Sequence, residues 1–192
     1  ESEIPLGLEV LKQPIFEPNS FLSIFGHNKK KESAGFLNPN PTLLGRFFQY
    51  VRANYFIPDA RKFWIKPSVK FLSNYLKNNE IEVVITTGPP HSMHIIGLAL
   101  RDKFKIKWIS DFRDPWSDFF QFKLLPMTSY QRIRHSRFEE KCLSFADTVI
   151  TTPPSLTERY SLVNSNSYTV TNGFNSFKEN IETGKFLIMY SG

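Results

Sequence analysis

The amino-acid sequence predicts an α/β fold, a Rossmann-like parallel sheet with flanking helices, and three observations predict it. The stretch Ile81 to Trp116, IEVVITTGPPHSMHIIGLALRDKFKIKWISDFRDPW, reads as strand, loop, helix, strand and loop in succession. Its strand runs, Ile81 to Ile85 and Ile106 to Ile109, are short, apolar and rich in β-branched residues, the pattern of strands buried on both faces of a parallel sheet. The alternation then resumes, with a long helical pattern over Thr128 to Ala146, the strand-like Thr148-Val149-Ile150-Thr151, a short helix and a further strand. Strands separated by single helices imply right-handed parallel crossovers.

In chain order, Leu8-Glu9-Val10-Leu11 is the first strand candidate, and Pro14 and Pro18 place it at a sheet edge or at the lead into a loop. Residues 19 to 45 carry Asn, Gly, Pro and the run Lys29-Lys30-Lys31, which predicts a long loop whose lysines are solvated or touch a membrane surface or acidic ligand. From Pro41 to Asn79 the pattern turns helical. Leu43, Leu44, Phe47, Phe48 and Val51 make one amphipathic face, and Phe63, Trp64, Phe71, Leu72 and Leu76 help make a second, with Pro67 kinking or dividing that segment. Arg46, Arg52, Arg61, Lys62, Lys66 and Lys70 alternate with these aromatics, which at helical spacing reads as a core face beside a wet face.

The strand from Ile81 is expected to stop at Thr86-Thr87-Gly88-Pro89-Pro90. Proline is tolerated in a first helical turn, so a helix begins near Pro90 or His91 and turns Ile95, Ile96, Ala99, Leu100 and Phe104 inward. After Trp116, a connection containing Pro126 leads into the helix Thr128 to Ala146, with Tyr130, Ile133, Phe138, Cys142 and Phe145 on its apolar side and Arg132, Arg134, His135 and Arg137 on its polar surface. Thr152-Pro153-Pro154-Ser155 opens a helix through about Tyr160, Ser167 to Thr171 is the last strand, and Asn172-Gly173-Phe174-Asn175 is a turn at its end. Residues 1–184 therefore form one domain, and residues 185–192 read as the start of a truncated second one.

Composition sets the outer limits. With 192 residues and 41% hydrophobic content the chain can bury a real core, and 15% aromatic residues argue against disorder. Lys and Arg exceed Asp and Glu by 24 to 18, a net charge of +6 that suits phosphorylated ligands, anionic membrane or nucleic acid and singles out none of them. The single Cys142 excludes an internal disulfide framework and a multi-cysteine metal site, and fits a reducing cytoplasm. No apolar run reaches the roughly 20 residues of a membrane span. With no initiator Met, the chain reads as an internal fragment.

In an open parallel sheet, ligands bind beyond the carboxyl ends of the strands, and here those ends carry TTGPPHS and SDFRDPW. Thr87, Gly88, His91, Ser92, Asp111, Arg113 and Asp114 are thereby candidates to meet in one crevice, with the N–H groups of Gly88 to Ser92 forming a seat for a phosphate or carboxylate. His91 can hydrogen-bond a ligand hydroxyl or stabilise developing charge, or it is a plain loop histidine. His94, one turn on, packs or faces solvent. Asp111 and Asp114 can orient a hydroxyl while Arg113 binds a phosphate, or the three form a structural ion-pair cluster with Asp114-Pro115 as a turn. The Asp pair also raises glycoside hydrolysis, which depends on a carboxylate separation, and His with Asp raises metal ligation, for which no recognised ligand spacing is present.

The motifs Thr86-Thr87-Gly88-Pro89-Pro90-His91-Ser92, Asp111-Phe112-Arg113-Asp114-Pro115-Trp116 and Asn172-Gly173-Phe174, in this order, resemble the amino-terminal domain of bacterial family 4 retaining glycosyltransferases of the GT-B fold, particularly those of surface-polysaccharide synthesis. The likeness runs from about Pro58 to Gly192. It implies two Rossmann-like domains facing each other across a cleft, with this one holding mainly a glycan or lipid-linked acceptor. The absent carboxyl-terminal domain would grip a nucleotide-sugar donor and supply the family's paired glutamates. Under this resemblance His91 and Asp111 are the catalytic candidates, and Thr87, Gly88, Ser92, Arg113, Asp114, Asn172 and Gly173 the substrate-binding ones. No cofactor or metal is implied. The family's first strand and Gly-rich loop belong before Glu1, and Asn175 stands where the family often has Asp. The fragment by itself is accordingly expected to be inactive.

The implied location is the cytoplasm, with Phe47, Phe48, Arg52, Arg61 and Trp64 offering a peripheral contact with an anionic membrane. On this reading nucleic acid is not a partner. The rival expectation from another class is a non-catalytic basic α/β module binding nucleic acid or a protein. A Walker or G-x-G-x-x-G phosphate loop is absent from the sequence.

Overall fold

The computed structural model of the protein describes residues 7–15 and 42–173. Two helices, α1 (Leu43–Tyr55) and α2 (Lys62–Asn78), precede β1 (Val83–Gly88), α3 (Ser92–Phe104) and β2 (Lys107–Phe112). The short α4 (Phe120–Leu124), α5 (Ser129–Phe145), β3 (Thr148–Thr151), α6 (Pro154–Ser161) and β4 (Ser167–Thr169) follow. The four strands form one parallel sheet in the order β1-β2-β3-β4. This is the Rossmann-like α/β architecture that the alternating pattern predicts.

Local chemistry sets the helix ends. The Thr42 hydroxyl accepts the Gly45 N–H at 3.1 Å at the start of α1, and the Thr128 hydroxyl accepts the Gln131 N–H at 3.4 Å at the start of α5. Helix α3 ends at Lys105, whose left-handed backbone (φ 55°) lets its N–H reach the Arg101 carbonyl at 2.9 Å before the chain turns into β2.

The core occupies one face of the sheet. Trp108, Phe112 and Val149 are fully buried and pack with Leu98 of α3, Leu143 of α5 and Tyr160 of α6, so the three crossover helices share that face. Successive right-handed crossovers that always step to the next strand leave every connecting helix on the same side. A side chain of this size removed from water contributes about 1.5–3 kcal/mol. Cys142 lies in the same core, where burial pushes its thiol up to about 12.

Several expectations are corrected. Strand β1 does not stop at Thr86; it continues through Thr86-Thr87-Gly88 in register with Ser110-Asp111-Phe112. Nor is β1 buried on both faces among the described residues, since Val83 and Ile85 are exposed while Thr86 and Gly88 are buried. Leu8 to Leu11 form no strand and are exposed; that segment lies across α2, where Trp64 Nε1 donates to the Gln13 carbonyl and Tyr75 donates to Glu9. Helix α2 runs through Pro67 undivided.

The residues assigned to inner faces also change. Leu43, Leu44, Phe47 and Phe48 of α1 are exposed among the described residues, and the buried residues of that helix are Ala53 and Asn54. In α5 the inward residues are His135, Glu139, Cys142 and Leu143, while Tyr130, Ile133 and Phe145 are exposed. Hydrogen-bonding partners across α5 draw the polar pair inward, which apolar periodicity alone does not register. The connection before Pro126 contains α4, and β4 is shorter than Ser167 to Thr171. Lys29-Lys30-Lys31, Phe174-Asn175 and residues 185–192 lie outside the described residues.

Candidate functional site

Because all four strands run the same way, Gly88, Phe112, Thr151 and Thr169 finish along one rim of the sheet. The loops after β1 and β2 meet there, the Arg113 N–H donating to the Gly88 carbonyl at 3.1 Å. Thr87 and Asp111 are register partners on the face away from the crossover helices, in one row with Ile150 and Tyr168. Thr87 is exposed, and Asp111 is partly buried with Arg113 Nε 3.6 Å from its carboxylate. Arg113 keeps 58% of its side chain exposed, so the pair is weak, about 0–1 kcal/mol, and the guanidinium remains open to a ligand. Asp114 is exposed beside it.

The structure therefore brings together Thr87, Gly88, Asp111, Arg113 and Asp114. Asn172 and Gly173 are exposed beyond β4, at the other edge of the sheet. Three strand spacings, about 14 Å, separate that edge from β1. Between the two edges a chain of hydroxyls, Thr151 to Thr157 to Thr169 at 2.5 Å each, ties the start of α6 to β3 and β4.

Behind the rim is a column of aromatic and imidazole rings. His91 is 7% exposed and lies flat on Trp116, with ring centroids 4.7 Å apart and planes 4° from parallel. His94 is fully buried against Phe112 at 4.0 Å, its Nδ1 3.0 Å from the Thr86 hydroxyl. Thr86 also accepts from Trp108 Nε1 at 2.9 Å, and the other ring nitrogen of His94, Nε2, is buried without a hydrogen-bond partner. That nitrogen faces Gly88, where an added Cβ would come within 2.5 Å of it. Gly88 is thus required for packing, whatever it does for a ligand.

Burial governs the charge of this column. It holds His91 down at about 3, with the nearby His135 adding to the effect, and His135 at about 4, with Arg134 adding. His94 is held well below its ordinary value by the same cause. All three rings are neutral near pH 7. His91 is therefore neutral, and what its ring can offer a ligand is a hydrogen bond, to a hydroxyl or to an oxygen on which charge develops.

The seat expected at the start of α3 is occupied by the protein itself. Asp59 Oδ2 accepts the Ser92 N–H at 2.7 Å, and its other oxygen accepts the Arg61 N–H at 2.8 Å. Met93 N–H goes to the Pro90 carbonyl and His94 N–H to the His91 carbonyl, both at 3.1 Å. An internal carboxylate thus takes the place foreseen for a ligand's phosphate or carboxylate. The Ser92 hydroxyl is buried without a partner, below the surface of the rim. Asp59 lies 33 residues before Ser92, and no local pattern connects them.

Two hollows lie away from the rim. One of about 880 Å³ is at the amino-terminal ends of the strands, between Asn78–Val83 and Phe104–Lys107, and one of about 260 Å³ lies between α2, α3 and the outer edge of β1. Neither includes Asp111, Arg113 or Asp114; the larger is lined by Lys77, Glu80, Glu82, Lys105 and Lys107 among others, at the end of the sheet opposite the two motif loops. Among the described residues no group of three His, Cys, Asp or Glu side chains could hold a metal ion, and no helix is long and apolar enough to cross a membrane. Comparison with known protein families and with curated proteins found no match.

Proposed function

We propose that this chain is the acceptor-side half of a retaining glycosyltransferase that moves a hexose from a nucleotide sugar to a glycan or lipid-linked acceptor in surface-polysaccharide synthesis. The observation that carries the reading is the junction of the two motif loops. TTGPPHS and DFRDPW are joined through the Arg113 N–H and the Gly88 carbonyl, and they leave Thr87, Asp111, Arg113 and Asp114 on one open rim. Asp111 orients the acceptor hydroxyl by accepting its hydrogen bond, Arg113 binds an anionic group of the acceptor or the donor diphosphate, and Thr87 and Asp114 offer further contacts. His91 acts as a neutral, fixed wall of the same site. The hydroxyl oxygen bonds to the anomeric carbon as the bond from that carbon to the diphosphate oxygen breaks, the hydroxyl proton passes to the departing diphosphate, and a second domain holds the nucleotide.

The same reading places the protein at the cytoplasmic side of an anionic membrane. Helix α1 presents exposed Leu43, Leu44, Phe47 and Phe48 with Arg46 and Arg52 on the same helix, an arrangement suited to a headgroup layer. Sedimentation with vesicles of phosphatidylglycerol is expected to carry the protein down, and Phe47→Ser with Phe48→Ser to leave it in the supernatant. Equal sedimentation of both, or of neither, contradicts the membrane contact.

The activity is tested by incubating the full-length protein with UDP-, GDP- and dTDP-hexoses and a short polysaccharide acceptor, and following nucleoside diphosphate release. Acceptor-dependent release from one donor is expected. No release from any donor, together with salt-sensitive binding to polynucleotide, would replace this reading with that of a basic binding module.

A further inference from the structure

Glu139, on α5, is 6% exposed and meets five donors from two other parts of the chain. Its Oε1 accepts the Trp116 N–H at 3.2 Å, the Arg159 guanidinium at 3.3 Å and the Tyr160 hydroxyl, and its Oε2 accepts the Ser117 N–H at 3.2 Å and the Ser117 hydroxyl. Two consecutive backbone N–H groups, those of Trp116 and Ser117, are thereby held just after the Asp114-Pro115 step. On the same α5, His135 Nδ1 accepts Trp116 Nε1 at 3.0 Å. Trp116 is therefore fixed through both its backbone and its indole, and the face of that indole carries His91. Arg159 and Tyr160 extend the junction to α6, which follows the loop after β3.

We propose that Glu139 is the positioning residue of the rim: its carboxylate ties the loop after β2 to α6, so that Trp116 holds His91 and the preceding Arg113 and Asp114 are presented in one fixed arrangement. The consequence for sugar transfer rests on the function proposed above; the mechanical role does not. All five partners donate, so the position needs a group that only accepts. A glutamine of the same shape turns an amide NH₂ toward one set of donors. Ser117 and Tyr160 can rotate their hydroxyl protons away, but the backbone N–H groups of Trp116 and Ser117 cannot, and whichever one faces the amide loses its acceptor. An aspartate falls short by one methylene.

The test is Glu139→Gln read in two ways. In the first, the ring-proton resonances of His91, assigned by comparison with His91→Gln, are expected to be displaced by the Trp116 indole in the wild type. They are expected to relax toward ordinary histidine positions in Glu139→Gln, while the His94 resonances, set chiefly by Phe112 at 4.0 Å and less by the His91 ring at 5.9 Å, move much less. In the second, the full-length variant is expected to lose about 100-fold in kcat/KM for acceptor with little change in donor KM, the scale of loss from a small misplacement of reacting groups.

A folded Glu139→Gln with unmoved His91 resonances overturns the proposal, and so does a variant whose stack loosens while acceptor transfer continues at the wild-type rate. If Glu139→Gln does not fold, Ser117→Ala and Tyr160→Phe each remove one donor and leave the carboxylate in place. A smaller displacement of His91 in the same direction is expected in both, and none in either overturns the proposal. If the stack loosens as expected but the wild type transfers no sugar, the transferase reading fails and the positioning of the loop by Glu139 stands.

Discussion

The charge of the buried histidines gives the protein a definite acid limb. In the unfolded chain each histidine protonates near 6.5, whereas in the fold burial delays His135 to about 4 and His91 to about 3. As pH falls below 6.5 the unfolded state binds protons that the native state refuses, so stability declines, by up to about 1.4 kcal/mol per pH unit for each such histidine. The decline extends down to the folded values, and above 6.5 these groups contribute no slope. Urea denaturation at pH 7.5 and pH 5 is expected to show markedly lower stability at pH 5; equal midpoints would contradict the burial of the column. Gly97 supplies a second test at this scale, because an added Cβ there would meet Trp108 Nε1 at 2.4 Å and Thr86 Cγ2 at 2.7 Å. Trp108 is fully buried and bonded to Thr86, leaving it no room to give. Gly97→Ala should cost about 1–3 kcal/mol, measured by the same denaturation, although alanine is the better helix former.

Elements were legible in the sequence where a short-range signal defines them. Helix α5 and strand β3 stand where periodicity and the Thr128 cap place them, and the loop-to-helix step at His91 follows from Pro89-Pro90. What pins the elements to one another was not legible, because the partners are far apart in sequence. Asn54 Nδ2 donates to the Pro126 carbonyl at 2.9 Å and its Oδ1 accepts the Thr128 N–H at 2.9 Å, fastening α1 to the entrance of α5 across more than 70 positions. Asn54→Leu leaves both backbone groups without that partner and is expected to cost about 1–3 kcal/mol, with loss of hydrogen-exchange protection in α1 before the sheet. Retained protection in α1 would show that the side chain is dispensable. Asp59 plays the corresponding part for α3, and Asp59→Ala should destabilise by about 1 kcal/mol, as loss of a helix cap does. An unchanged denaturation midpoint would contradict that role.

At the scale of the molecule, the parallel sheet follows from the alternation of short β-branched runs with helices, and the sheet order decides which loops meet. The rim was therefore foreseeable: Thr87, Gly88, Asp111, Arg113 and Asp114 come together because β1 and β2 are neighbours. The interior of the rim was not. The stacking of His91 on Trp116 joins residues 25 positions apart, Asp59 took the helix terminus, and Glu139 emerged from a helix face on which apolar spacing points elsewhere. The edge carrying Asn172 and Gly173 lies apart from this cluster, so a ligand held by β1 and β2 reaches them only if it spans the sheet. The proposed activity rests on the rim acting on the acceptor. The most direct measurement is the steady-state kinetics of full-length Asp111→Asn and Arg113→Ala with saturating nucleotide sugar and varied acceptor. The account predicts that both variants fold as the wild type does and lose about 100-fold in kcat/KM for acceptor, with donor KM held within a few-fold. Wild-type acceptor kinetics in both variants would contradict it.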